Sequence, residues 1–165
     1  LLAAIRNDET RQTRVVWYHV TSMLHHAAMI SKLVRPVAKT PTAVARGEAL
    51  RRALDVGDGS DVLPRDARDN VEHFDERLDN WVEEASPTIL EIVLDDRKGY
   101  DYIRVPEKRV KRLLIADDLV FVSERKDNSK FELALQPLHA EVQRIGVAAS
   151  GWIRTNSPYH FVHPQ

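Results

Sequence analysis

Cysteine is absent from all 165 residues. Disulfides, thiolate metal sites and cysteine nucleophiles are therefore excluded. The absence fits a reducing cytoplasm, which is the expected location. No apolar run approaches the roughly 20 residues needed to span a bilayer, so no membrane contact is expected. Charge of one sign is not in excess: 24 Lys and Arg face 25 Asp and Glu, for a formal net charge of −1. The whole molecule is not a polyanion binder, and only a local basic patch could serve nucleic acid. The chain also lacks a glycine-rich phosphate loop, a Gly-x-Ser-x-Gly elbow and a His-Glu-x-x-His zinc helix. No cofactor and no metal follow from its motifs, and no internal repeat or low-complexity tract is present. It opens Leu1-Leu2-Ala3 without a methionine, which leaves the natural start and any targeting peptide open.

What is present is one domain's worth of sequence. A chain of this size buries about 68–70% of its unfolded surface and holds a core without staples. From about Asp8 to Val34, Val16, Val20, Met23, Ala27, Ile30 and Val34 recur at spacings of three and four, one stripe of a helix widened by Trp17 and Leu24. Pro36 stops it. Thr40-Pro41 announces a second helix, a cap followed by proline at the first helical position. Its stripe is Ala43, Gly47, Leu50 and Leu54, and the loop Gly57-Asp58-Gly59-Ser60 ends it. A third helix is expected from about Pro64 to Ala85, striped by Ala67, Val71, Phe74, Leu78, Trp81, Val82 and Ala85 and closed by Ser86-Pro87. Short connections imply antiparallel packing.

Beyond Pro87 the pattern changes. Residues 89–94 read as a short strand or as an extension of the helical layer. Residues 100–116 are ambiguous, with a short helix over Glu107 to Ile115 as one reading. Two apolar runs, 119–122 and 131–135, flank the polar turn Lys126-Asp127-Asn128-Ser129, which is a hairpin signal. A last helix follows Pro137, with Leu138, Val142, Ile145 and Ala149 on one face. The expected fold is mainly α: about four helices in an antiparallel bundle, with a small β-hairpin at about 117–135 inserted before the last helix. Residues 1–150 form that single domain and residues 151–165 an extended C-terminal arm.

The densest polar cluster, residues 68–79, lies on the third helix. Asp69 and His73 are four apart and share a face, so a carboxylate there favours the imidazolium and orients its ring. Arg68 precedes His73 by five residues. The same bare spacing recurs at Arg14 with His19, and Arg154 precedes His160 by six. The copy at residues 68–73 differs in having a polar residue after the arginine and an amphipathic helix around it.

Arg68, Asp69 and His73 resemble the Arg-x4–6-His motif of the HEPN superfamily, helical bundles that include many metal-independent ribonucleases. The run from Glu72 to Leu78 is similar to an uncharacterised bacterial group with the same helices and a late hairpin. The resemblance implies His73 as general acid or base on a ribose 2′-hydroxyl, Arg68 as the ligand of the scissile phosphate, and Asp69 as the group that orients His73. It also implies an RNA substrate, a composite site across a homodimer, and an antitoxin-like protein partner. The other reading is a non-catalytic interaction or ligand-binding module, with these charges forming a solvated helix face in which Arg68 pairs with Glu72.

Arg104, Lys108, Arg109, Lys111 and Arg112 form a basic segment interrupted by Glu107. It could track a nucleic-acid backbone, or be a solvated helix beside Asp117 and Asp118. His25 and His26 diverge by about 100° on a helix and read as core or interface histidines rather than metal ligands. His160 and His163 belong to the arm.

Overall fold

A computed structural model describes residues 13–64, 66, 69, 70, 73, 78, 79, 82, 83, 89–103, 106–125 and 127–156. Among them are three α-helices, α1 (Thr13–Val34), α2 (Pro41–Ala53) and α3 (Leu135–Asn156), and four strands, β1 (Ile89–Leu94), β2 (Val110–Ile115), β3 (Val120–Glu124) and β4 (Lys130–Ala134). The strands form one sheet in the order β1-β2-β3-β4. β1 runs parallel to β2, and the remaining pairs are antiparallel. This α+β architecture replaces the expected four-helix bundle. The strands read as a small inserted hairpin, β3 and β4, are half of a sheet that extends through β2 to β1.

The correction turns on residues 110–115. Their run Val-Lys-Arg-Leu-Leu-Ile belongs to the stretch 100–116 that the sequence leaves ambiguous, with a short helix over Glu107 to Ile115 after Pro106 as one reading. In the folded chain all six residues are buried, and both cations have carboxylate partners. With its charges neutralised, the segment behaves as a central strand packed on both faces. A parallel neighbour requires a crossover of a dozen or more residues. Residues 95–109 supply it, with 3-10 turns at Arg97–Tyr102 and Glu107–Arg109. At Gly99 the crossover comes so near β1 that a Cβ would lie 3.1 Å from the Leu94 side chain.

One sheet face carries Val93, Leu114, Phe121, Phe131 and Leu133. It packs with the α1 stripe of Val16, Val20, Met23, Leu24 and Ala27 and with Leu135, Leu138 and Ile145 of α3. Trp17, Phe121 and Phe131 form an edge-to-face series, with ring centroids 6.2 and 6.0 Å apart. The other face buries Leu113, Ile115 and Val122 against Ile92, Leu94 and Val120. The β3–β4 turn is set by Asp127, whose carboxylate accepts from the Ser129 amide at 3.0 Å and hydroxyl at 2.6 Å. Asn128 takes φ 64° there, a conformation asparagine tolerates better than most residues.

The Thr40 hydroxyl caps α2 by accepting the Ala43 amide at 3.3 Å, with Pro41 behind it. Arg144 of α3 closes the other end. It donates to the carbonyls of Leu54 and Asp55 at 3.1 and 3.0 Å and also pairs with Glu141. That pairing, and a hydrogen bond from Ser60, hold the Glu141 carboxyl below the ordinary glutamate range. α3 itself continues through Gly151 to Asn156, where an extended arm was expected. The Thr155 hydroxyl and Asn156 amide donate to the carbonyls of Gly151 and Trp152, one helical turn back. Residues 157–165, the rest of the expected arm, lie outside the described residues.

Gly47 is where α2 meets the turn after α1. A Cβ there would stand 2.6 Å from Pro36 Cδ and 3.1 Å from the Val34 carbonyl oxygen. Alanine gains about 1 kcal/mol in helix propensity, but overpacking against a proline ring and backbone costs about 1–3 kcal/mol. Gly47→Ala is therefore expected to lower stability by about 1 kcal/mol net, read as a lower urea midpoint at unchanged slope.

Candidate functional site

The residues of the Arg-x4–6-His motif are only partly placed. Arg68 lies outside the described residues. Asp69 is half-buried and His73 exposed, and the His73 amide donates to the Asp69 carbonyl at 3.1 Å, one helical turn. Between them, Asn70 reaches the core. It is fully buried, and its amide donates to Ser123 Oγ at 2.6 Å and to the Glu124 carbonyl at 3.4 Å. Ser123 in turn donates to the Lys111 carbonyl at 3.1 Å. Nearby, Asp66 pairs with Arg125 at 3.1 Å. These contacts dock the segment on the end of β3, a packing task for which sequence reading had no signal beyond one uncharged polar letter in a charged run.

The basic segment is divided by the strand it belongs to. Arg104 lies outside the described residues, Lys108 is exposed and Arg109 half-buried. Lys111 and Arg112, 3% and 4% exposed, project to opposite faces of β2 because side chains alternate along a strand. Lys111 lies 3.4 Å from Glu124, which also holds Lys130 at 3.0 Å. No continuous basic stripe is presented by Lys111 and Arg112, and side chains buried this deeply do not follow a phosphate backbone.

Arg112 leads to a different place. Its register partner on β1 is Glu91, and Nη1 donates to Glu91 Oε1 at 2.6 Å. Nη2 lies 3.5 Å from the Thr21 hydroxyl of α1. The guanidinium carbon sits 5.1 Å from the Trp17 ring centroid and 5.7 Å from that of Phe121, within cation–π range of both. Burial pulls the Arg112 pKa down and Glu91 offsets part of the shift. A guanidinium keeps its charge under such a load, so a fixed cation is buried between helix and sheet.

Above this pair, along the seam of α1 and β1, runs an open groove of about 460 Å³. One wall is α1. Arg14, Tyr18, Thr21 and His25 recur at spacings of four, three and four, and so fall within about 60° of one another around the helix. Ser22 and His26 flank them, and Glu91 forms the opposite wall. Trp17 also lines the groove. It is 5% exposed, and its indole Nε1 is buried without a hydrogen-bond partner among the described residues. Tyr18 is 71% exposed. The lining is rich in neutral donors and aromatic surface. No group of three or more metal-ligating side chains occurs among the described residues, and His25 and His26 are accordingly not brought together with carboxylates as a metal centre. The periodicity that marked α1 as a core helix identified its buried stripe. It carried no information about which strand its polar face would meet.

No helix among the described residues is long and apolar enough to cross a membrane. Comparison with known proteins finds no matching family model, no matching curated protein and no matching solved structure, so the HEPN resemblance rests on the letters of residues 68–78.

Proposed function

We propose that the chain is a ligand-binding module and that its ligand occupies the groove between α1 and β1. The observation that carries this reading is the Arg112–Glu91 pair beneath the groove, held against Trp17 and Phe121. Taking a guanidinium out of water costs several kcal/mol, and an apolar side chain of similar volume is often as good or better for stability. A buried cation at a helix–sheet seam, under an open cleft lined by polar and aromatic groups, has the composition of a ligand site with a few fixed polar groups on apolar walls.

The test is a thermal-shift screen of the full chain against small molecules grouped by chemical class. A ligand at about 100 times its Kd stabilises by about 2.7 kcal/mol, which raises Tm by roughly 5–10 °C in a domain of this size. At least one class is expected to do so with the wild type and not with Tyr18→Ala, whose side chain is too exposed to matter much for folding. RNA cleavage in EDTA, measured beside Arg68→Ala and His73→Ala, completes the experiment. A screen without hits would overturn the binding-module reading, and cleavage that both substitutions abolish would put the ribonuclease reading in its place.

A further inference from the structure

We infer that the groove is built for a planar aromatic monocarboxylate, a conclusion that rests on the ligand-binding reading above. Three features of the lining select this chemistry. The first is the ring surface. Tyr18 projects its ring into solvent beside the buried indole of Trp17. A planar ligand stacks on the Tyr18 ring, and aromatic pairs contribute beyond the area they bury.

The second is the charge count. Arg112 and Glu91 lie at 2.6 Å and neutralise each other. Arg14 is exposed and forms no ion pair among the described residues. Arg14 is thus the one arginine or lysine lining the groove without an ion-pair partner among the described residues. A carboxylate carries one charge and accepts a guanidinium through two parallel hydrogen bonds. A phosphomonoester carries about −1.5 to −2 and would also face the Glu91 carboxylate across the groove. The count favours a monoanion.

The third is the neutral donors. Thr21 and Ser22 offer hydroxyls along the same wall. Arg14 stands one helical turn, about 6 Å, from Tyr18, a span that its long stem covers. An acid group bound by Arg14 thus leaves its ring over Tyr18, and polar ring substituents meet the hydroxyls of Thr21 and Ser22.

The experiment is an NMR titration of the full chain with benzoate, benzamide, cyclohexanecarboxylate, phenyl phosphate and inorganic phosphate. Benzoate is expected to give saturable shifts at the amides of Arg14, Tyr18 and Thr21. Arg14→Gln should weaken it at least ten-fold and bring it level with benzamide. In the wild type, benzamide and cyclohexanecarboxylate should each bind at least ten-fold more weakly than benzoate. Tighter binding of phenyl phosphate or inorganic phosphate, unchanged benzoate affinity in Arg14→Gln, or the absence of saturable benzoate shifts would each overturn the inference. The screen described above separates the two levels. Hits abolished by Tyr18→Ala but confined to other chemical classes sink the ligand class and leave the binding module standing. A screen empty of any hit sinks both.

Discussion

Glu124→Ala is expected to cost about 3–5 kcal/mol of folding free energy, the range for removing one partner from a buried charge pair. Glu124 is almost wholly buried at the end of β3, with Lys111 Nζ at 3.4 Å and Lys130 Nζ at 3.0 Å. Lys130 is partly exposed and can turn towards water. Lys111 cannot turn as readily, because its side chain is buried on the face of β2. Without the carboxylate it must keep a buried ammonium that has lost this partner, or open the end of the sheet. Against a total stability of roughly 5–15 kcal/mol, the loss should lower Tm by roughly 6–20 °C. Chemical denaturation checks the figure. A loss under about 1 kcal/mol would place the triad in the class of hydrated surface pairs. The double variant Lys111→Met with Glu124→Leu should recover most of the loss, since apolar replacement of a buried pair is often neutral or better.

Phe121→Ala is expected to cost a similar amount, about 3–5 kcal/mol, from lost transfer energy and the cavity left behind. Phe121 is fully buried and meets Trp17, Phe131 and the Arg112 guanidinium. It does not line the groove, yet its removal takes away one of the two rings against which Arg112 rests. The variant should therefore lose ligand-induced stabilisation as well as stability. Phe121→Leu, which fills most of the volume, should retain the fold with a smaller loss and still weaken the ligand response. Calorimetry with and without ligand reads both effects. A Phe121→Leu variant with full ligand response would show that Arg112 keeps its place without the Phe121 ring.

The parts of the fold that local chemistry decides were legible in the sequence. The three-four spacing of Val16, Val20, Met23 and Ala27, the Thr40-Pro41 start and the turn around Asp127 each have a physical cause within a few neighbouring residues. β2 was not legible, because its identity depends on partners far along the chain. Lys111 and Arg112 look like solvent-facing letters until Glu124 and Glu91 are brought beside them. The same limit applies to the groove. Its α1 wall is periodic and readable, whereas Glu91 and Arg112 become neighbours only through the β1–β2 register. The Arg-x4–6-His reading drew on a bundle around it, and the sheet removes that context. Asn70, which anchors the same stretch of chain, has a role set by Ser123 and the Glu124 carbonyl, neither of which its neighbours reveal.

The docking of α1 on a sheet assembled from residues 89–134 has a consequence for biosynthesis. Trp17 and its partner Phe121 are about one hundred residues apart in the chain, so the helix leaves the ribosome long before its binding surface exists. At translation speeds of about 5–20 residues per second, its apolar stripe waits on the order of 5–20 s for the β-meander to emerge. During that interval the nascent chain offers Val16, Val20, Met23 and Leu24 as a ready segment for a holding chaperone. Strands β2 to β4, joined by short turns, can pair as soon as they are released, and α1 finds its packing surface only after they have done so.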